Sequence, residues 1–163
     1  MATDSPVVGP DDVRAIITST SIVDVRLDEV HAGPLNGDLS AAVVRFRRDL
    51  AEYGFSEDGS GLLVKFPHTA EWVTEKSGDD VEVLARVSIV HVAQFAITGE
   101  LLDNPPALSA WIDTNVYFMV YPYVRAAFHS VASLLGYPSF TLGYLKRDDA
   151  LPKTREEHLD SES

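Results

Sequence analysis

The chain of 163 residues contains no cysteine, so neither disulfide bonds nor zinc sites built from thiolates can form. Basic residues are scarce, because 13 Lys and Arg stand against 25 Asp and Glu and give a formal net charge of −12. Proteins that bind the phosphate backbone of DNA or RNA cluster Lys and Arg on one surface. The composition therefore argues against a nucleic-acid partner.

The sequence also lacks a hydrophobic run of the length that a membrane span requires. Its most apolar helical run, Val116 to Val124, is far shorter than the roughly 20 residues of a transmembrane helix. The first residues, MATDSPVVGPDD, contain neither the basic region nor the apolar core of a signal peptide. We therefore expect a protein without membrane insertion, and the absence of cysteine fits a reducing cytoplasm.

Motifs that carry enzyme chemistry are missing as well. The five histidines form no H-x-x-x-H or Glu-x-x-His pair with the spacing of metal ligands, and no Gly-rich phosphate loop occurs. Gly59-Ser60-Gly61 is not part of a G-x-S-x-G nucleophile elbow, and Asp79-Asp80 fits a solvated turn better than a catalytic dyad. We expect no enzyme, metal or other cofactor, although catalytic residues distant in sequence leave an enzyme open.

Alternating apolar and polar residues are the main structural signal that the sequence does contain. The alternation predicts four antiparallel strands, over residues 21–30, 41–50, 62–73 and 81–97. The second of these segments also fits a helix. Residues 53–61 are predicted to be a flexible loop, and Pro67, which has no N–H, indicates a sheet edge or a bulge.

Helical signals lie at both ends of the strand region. Asp11 and Asp12 favour a short N-terminal helix, and Asn104-Pro105 is a typical helix start. A long helix follows, with Thr114 as a candidate cap and a stop at Gly136. One stripe of this helix is predicted to pack on the sheet: Val116, Met119, Tyr123, Ala127, Val131 and Leu134.

These elements predict an α+β fold: a four-stranded antiparallel sheet with a short and a long C-terminal helix on one face, and an additional N-terminal helix. The predicted organisation is a flexible arm over 1–10, one domain over 11–145 and a disordered acidic tail over 146–163. Apolar residues occur on both faces of 84–96, which a solitary sheet would expose. We therefore expect an oligomer.

Three short motifs stand out: Pro122-Tyr123-Val124-Arg125, GYPSFTL over 136–142 and FAITG over 95–99. Together they resemble segments of the SecB family of protein-export chaperones. Pro122-Tyr123-Val124-Arg125 resembles the family's Phe-Pro-Tyr-Ala-Arg segment at its long helix. The segment from Gly136 to Leu142, GYPSFTL, is similar to its Phe-Pro-x-Leu-x-Leu, and Phe95 to Gly99, FAITG, resembles its Phe-x-Ile-x-Gly. The element order agrees over about residues 20–145, but the family's later Ala-Pro-x-x-Phe and final helix are missing. The resemblance is therefore to a divergent member.

The resemblance implies a cytoplasmic homotetramer, a dimer of dimers, that binds unfolded polypeptide clients in surface apolar grooves without ATP. In this family such binding serves protein export, where an acidic sheet face docks onto the SecA motor. Some SecB-like proteins instead guard an antitoxin of a toxin–antitoxin system. The chain does not distinguish these roles.

Apolar and aromatic residues of the second strand, the two C-terminal helices and the final extended segment are the candidates for a polypeptide-binding groove. They are Val44, Phe46, Trp111, Ile112, Tyr117, Phe118, Tyr121, Phe140 and Leu142. Aromatic side chains suit such a groove because they offer a large contact area at little cost in rotamer entropy. Two other readings remain open: a small-ligand-binding α+β module or enzyme with these aromatics around a closed pocket, and an interaction protein with one fixed partner.

Overall fold

The computed structural model describes most of the chain, namely residues 8–33, 35–75, 81–99, 104–138, 140–143 and 145. The elements, in chain order, are α1 (Pro10–Ser19), β1 (Thr20–Ala32), β2 (Val43–Arg48), β3 (Glu52–Phe55), β4 (Gly61–Glu75), β5 (Val81–Ile97), α2 (Pro105–Trp111), a π-helical segment (Ile112–Val116) and α3 (Tyr117–Leu134). The last three follow one another without a break. They form one continuous helix, which we call the ridge.

The strands form one antiparallel sheet in the order β1-β5-β4-β2, with β3 also paired to β4. β2 and β3 pair with successive parts of β4, so they lie end to end along the same edge. The predicted α+β fold is confirmed, but the sheet contains five strands instead of four. The prediction of a flexible loop over 53–61 is wrong at its start, because β3 pairs with β4 before a short turn closed by Asp58 and its serine neighbours.

Pro67 lies inside the central strand β4, at the break between β2 and β3. The N–H of Asp49 donates to the Pro67 carbonyl at 3.1 Å. In an antiparallel ladder the nitrogen and the carbonyl of one residue point to the same neighbour. The nitrogen of Pro67, which carries no hydrogen, therefore faces the gap between β2 and β3. No backbone hydrogen bond of the sheet is lost there.

The two faces of the sheet differ in what covers them. Leu62, Val64, Phe66 and Trp72 of β4 are fully buried beneath the ridge, on what we call the helix side. The opposite face, the open side, is mixed: it carries polar residues such as Lys65, Glu71 and Arg86, and apolar residues such as Leu63 and Val92. There the Arg86 Nε donates to a Glu71 carboxylate oxygen at 2.7 Å.

The stripe of α3 that packs on the sheet is shifted by one residue from the predicted stripe. The buried positions are Tyr117, Val120, Tyr121, Val124, Phe128 and Ala132. Val116 is buried as predicted, and Ala127 and Val131 pack against the core, but Met119, Tyr123 and Leu134 are exposed, so half of the predicted stripe is wrong. From Val116 the buried positions continue at spacings of four residues, through 120, 124, 128 and 132. Because an α-helix has 3.6 residues per turn, this stripe drifts around the helix, away from 119 and 123.

The first and last boundaries predicted for the C-terminal helices are confirmed, but the prediction of Thr114 as a cap is wrong, because Thr114 lies inside the ridge and its hydroxyl donates to the Ala110 carbonyl at 2.6 Å. The Asn104 side chain accepts a hydrogen bond from the Ala107 N–H at 3.1 Å, and Pro105 occupies the first helical position. At the other end Gly136 has a φ of 68°, a left-handed conformation that favours glycine. The Tyr137 N–H donates to the Ala132 carbonyl at 2.9 Å. Gly136 thereby turns the chain out of the helix.

Candidate functional site

Apolar strips lie on the helix side along both flanks of the ridge. On β1, Ile22, Leu27 and Val30 share this side because they pair with Phe95, His91 and Ile89 of β5. They are exposed, as are Met119 and Tyr123 of α3. We call these five residues (Ile22, Leu27, Val30, Met119 and Tyr123) the β1 flank. An open hollow of about 270 Å³ separates Ile22 from Met119 within it.

The other strip, which we call the β2–β3 flank, consists of Val44, Phe46, Tyr53 and Phe55. Tyr53 and Phe55 pair with Val64 and Leu62, so they also lie on the helix side. Their side chains are 40% and 50% exposed, whereas Val44 and Phe46 are half-buried. We call Tyr53 and Phe55 the lower half of this flank, which is open, and Val44 and Phe46 the upper half, which is covered.

The cover is the chain's own extended segment after the ridge, which we call the C-terminal segment (residues 137, 138, 140–143 and 145). The ring centroids of Tyr137 and Phe140 lie 5.0 and 5.3 Å from that of Trp72, both edge-on. Phe140 also lies 6.1 Å from Phe128 of α3, and Phe128 is 5.5 Å from Phe46 of β2. An aromatic cluster thus joins strand, ridge and segment.

A second cluster lies beneath the ridge, where the π-helical segment brings Asp113 to Arg48 of β2. The two side chains form an ion pair, and the Arg48 guanidinium lies 3.9 Å above the Tyr117 ring. The Tyr117 hydroxyl is 3.2 Å from Nε2 of His68, whose Nδ1 is 3.0 Å from the Phe66 carbonyl. Because a carbonyl only accepts, Nδ1 of His68 carries the proton, and the Tyr117 O–H donates to Nε2.

Burial sets the protonation of this cluster. It lowers the pKa of His68 to about 3, and it raises the pKa of Tyr117 to about 12. Burial also raises the pKa of Asp113, while the neighbouring Arg48 opposes that effect. His68 and Tyr117 are therefore neutral at pH 7 and closed off from solvent. This arrangement joins β2, β4 and the ridge, and it presents no activated nucleophile or base to a substrate.

The buried histidines predict a loss of stability in mild acid. Burial lowers the pKa of His91 to about 4, and that of His68 lies near 3, whereas both titrate near 6.5 in the unfolded chain. Below pH 6.5 the unfolded state therefore binds more protons, and the free energy of unfolding falls as the pH falls. We expect a loss of about 1 kcal/mol for each histidine between pH 7.5 and 5.5, measured by urea unfolding.

Two variants check the cause of this pH dependence. His91→Leu is expected to remove about half of the slope. His129→Leu, which changes an exposed histidine of α3, is the control for the loss of one imidazole at a site outside the core. Equal slopes in all three proteins would show that other groups produce the effect.

The structure brings only part of the sequence-predicted site together. Val44, Phe46, Phe140 and Leu142 pack against the core around the aromatic cluster, and Tyr121 binds the C-terminal segment. Phe118 is half-buried on α3. Four of the predicted residues are buried: Trp111, Ile112, Tyr117 and Tyr121. Trp111 packs on Phe95 with ring centroids 5.0 Å apart, at the other end of the ridge.

Sequence reasoning missed the residues of the open lower half, Tyr53 and Phe55. Their signal was the alternation in Glu52-Tyr53-Gly54-Phe55, which the neighbouring turn residues obscured. It also missed Trp72, which looks like any other buried position of a strand until its neighbours are known.

The open side of the sheet carries charges of both signs. Arg45 and Arg86 lie on the strands at either side of Glu71, in one cross-strand row. On β1, Arg26 pairs with Asp24 at 3.2 Å. Carboxylates on this side therefore alternate with arginines and form no uniformly acidic face.

Two further findings concern the described part of the chain alone. None of its helices is long and apolar enough to cross a membrane. Nor do three or more His, Asp or Glu side chains in that part come together as a metal-ion site.

The element order, the sheet topology and the C-terminal ridge define a SecB-like α+β fold. The solved structure that shows this is the SecB-like chaperone Rv1957 of Mycobacterium tuberculosis, in complex with a ChAD peptide from the antitoxin HigA1 (Rv1956). The similarity has a TM-score of 0.65 and 20% sequence identity, and it covers 83% of this chain and 97% of that chain.

A protein of unknown function from Streptococcus agalactiae is also similar, with a TM-score of 0.38 and 14% identity over 77% of this chain and 97% of that one. No protein-family model and no curated protein matches the chain.

Proposed function

We propose that the protein is a holdase chaperone, which binds unfolded polypeptides without ATP and catalyses no reaction. The observation that carries this proposal is the pair of apolar strips that flank the ridge. Isolated apolar side chains are normal on a protein surface, whereas contiguous strips mark surfaces that bind other chains. The SecB-like fold supports the same assignment.

The lower half of the β2–β3 flank is suited to an extended client. The Ser56 N–H donates to the Gly61 carbonyl at 2.9 Å, which makes these two residues a hydrogen-bonded pair. Hydrogen-bonded and non-hydrogen-bonded pairs alternate along an antiparallel ladder, so Gly54, two residues before Ser56, also bonds to β4. The N–H and C=O groups of Tyr53 and Phe55 therefore point away from β4. An incoming strand adds to this edge through those groups while its side chains meet the two aromatic rings.

The upper half of the same flank extends this surface. We propose Val44, Phe46, Phe118, Tyr121, Phe140 and Leu142 as groove residues. The buried Trp111, Ile112 and Tyr117 support the surface from below instead of touching a client.

We propose that the β1 flank is used for assembly into a homotetramer, a dimer of dimers. Several identical grooves on one particle bind several segments of one unfolded chain at once, and avidity then compensates for weak single contacts. We place this activity in the cytoplasm, which the absence of cysteine supports.

Two roles are compatible with this binding: protein export and the guarding of an antitoxin. The related structure was solved with an antitoxin peptide, which favours a client of that kind. The alternation of arginines and carboxylates on the open side gives less support to docking of an acidic face onto the SecA motor. We therefore propose antitoxin guarding as the preferred role and export as the alternative.

The test is size-exclusion chromatography with light scattering, with and without a reduced, slowly folding client protein. Co-elution with the reduced client and not with its folded form is expected. Tyr53→Ser combined with Phe55→Ser removes the two half-exposed rings and is expected to weaken binding about tenfold. Leu63→Ser, which changes a similarly exposed residue on the open side, is the matched control.

A wild-type protein that ignores unfolded clients contradicts the proposal. In that case the open hollow of about 390 Å³ at the β3–β4 end of the sheet makes a small-ligand-binding module the next hypothesis.

A further inference from the structure

The manner in which the C-terminal segment is attached distinguishes it from the rest of the core. None of residues 138, 140–143 and 145 makes a backbone–backbone hydrogen bond with another described residue. Side-chain contacts hold the segment: the Tyr137 and Phe140 rings pack on Trp72, Phe140 also packs on Phe128, and Leu142 and Leu145 pack on the core. In addition, the Tyr121 O–H donates to the Gly143 carbonyl at 2.8 Å. Elements without backbone pairing open locally at low free-energy cost, while a sheet of paired strands stays closed.

The surface beneath this segment cannot be left bare. Trp72 is 0% and Phe128 is 1% exposed, and both lie against Phe140 of the segment. If the segment leaves without a replacement, these two large rings meet water, which is unfavourable. Exchange for another apolar segment avoids this cost. The site therefore favours replacement over simple opening.

The position of the segment places it in the path of a client. Phe46 of the covered half and Tyr53 of the open half lie on the same side of the same sheet edge, because both pair with β4. A client strand that runs along this edge from Tyr53 reaches the C-terminal segment within a few residues.

We infer that the C-terminal segment is an exchangeable internal occupant of the client groove, and that clients which displace it share its side-chain pattern. That pattern is an aromatic residue, a second aromatic residue three positions later and an aliphatic residue two positions after that, as in Tyr137, Phe140 and Leu142. The inference rests on the proposed holdase function and adds the substrate class of the groove: extended segments with two spaced aromatic anchors.

The test uses the full chain and a dye-labelled synthetic peptide, GYPSFTLGYL, which copies residues 136–145. Tyr121→Phe keeps the ring and removes only the hydroxyl that holds Gly143. Because one hydrogen bond is lost from the competing internal segment, this variant is expected to bind the peptide about 2- to 10-fold more tightly than the wild type. Ser130→Ala, which removes an exposed hydroxyl from the same helix outside both flanks, is the control and is expected to behave as the wild type.

Two further arms test the pattern and the exchange. A peptide with Ser in place of the residues corresponding to Tyr137 and Phe140 is expected to bind at least about tenfold more weakly. The chain has no native thiol, so Leu142→Cys supplies a single reporter. Its reaction with a thiol reagent is expected to accelerate several-fold when a reduced client saturates the protein, while Leu134→Cys, already 86% exposed, keeps its rate.

The outcomes separate this inference from the function on which it rests. If the wild type binds the reduced client but Tyr121→Phe binds the peptide no more tightly, or the Leu142→Cys rate does not rise, the segment is part of the fixed core and only the inference is overturned. If no form of the protein binds either the client or the peptide, both are overturned.

Discussion

Replacing Asp113 with alanine is expected to destabilise the protein by about 3 kcal/mol, the lower end of the range for breaking a buried ion pair. The Arg48 and Asp113 side chains are only 20% and 24% exposed, so removal of the carboxylate leaves a guanidinium without its partner between β2 and the ridge. The cation–π contact with Tyr117 remains, but it does not replace the carboxylate as an acceptor. Chemical denaturation at pH 7.5 measures the change.

The neighbouring pair on the same strand supplies the control. Arg47 and Asp49 also form an ion pair, but their side chains are 64% and 40% exposed. Solvent screens such a pair, so Asp49→Ala is expected to cost less than about 1 kcal/mol. A double-mutant cycle with Arg48→Met and Asp113→Ala separates the coupling between the two side chains from their individual packing. If Asp49→Ala and Asp113→Ala lower the free energy of unfolding equally, the burial of the Arg48–Asp113 pair beneath the ridge does not strengthen it.

The ion pair also marks a limit of sequence reasoning. Arg48 and Asp113 are 65 positions apart, and no local pattern connects them. Asp113 reaches Arg48 only because a π-helical segment interrupts the ridge, and the sequence contains no clear signal for that segment. The segment therefore decides which side chain of the ridge meets Arg48, and this contact could not be predicted from the sequence.

Patterns that depend on neighbours in sequence were predicted well. Alternation over 81–97 predicts β5 with the bounds that the structure has, and the cap at Asn104 and the stop at Gly136 follow from local backbone chemistry. β3 was missed because Gly54 weakens its strand pattern and turn residues follow at once. Its pairing is set by β4, which is a long-range effect.

The sequence indicated that aromatic residues form the candidate site, but it did not indicate which of them are exposed. Aromatic residues lie nearly all round α3, and the sequence alone does not indicate which of them face the sheet. Tyr117 became part of the buried cluster with His68, while Tyr123, one stripe away, is exposed. The division between core and groove follows from the phase of the helix and from the C-terminal segment, both of which are tertiary features.

The exposed β1 flank, which joins residues of β1 and α3, leads to the second prediction. We expect the wild type to be a tetramer, and we expect the double variant Leu27→Asp with Val30→Asp to be a smaller particle. Both changes place charges in the β1 flank, where a twofold interface would bury each side chain twice. Leu27 and Val30 are 41% and 43% exposed, so burial of the exposed part is worth about 0.6–1.2 kcal/mol for each side chain. The four copies at a twofold interface amount to about 2.5–5 kcal/mol, or roughly 10²- to 10⁴-fold in the dissociation constant. Light scattering at micromolar concentration measures the mass.

Leu63→Asp is the matched control, because Leu63 is 44% exposed and Leu27 is 41% exposed, but Leu63 lies on the open side of the sheet. A dimer or a monomer for the β1-flank variant and a tetramer for Leu63→Asp locate the interface, since a dimer of dimers has two kinds of interface. If the grooves act independently, the smaller particle still binds a short peptide with wild-type affinity but loses affinity for a whole unfolded chain, because it offers fewer grooves at once. A wild type that is itself monomeric at these concentrations contradicts the assignment and leaves the β1 flank as a second surface open to clients.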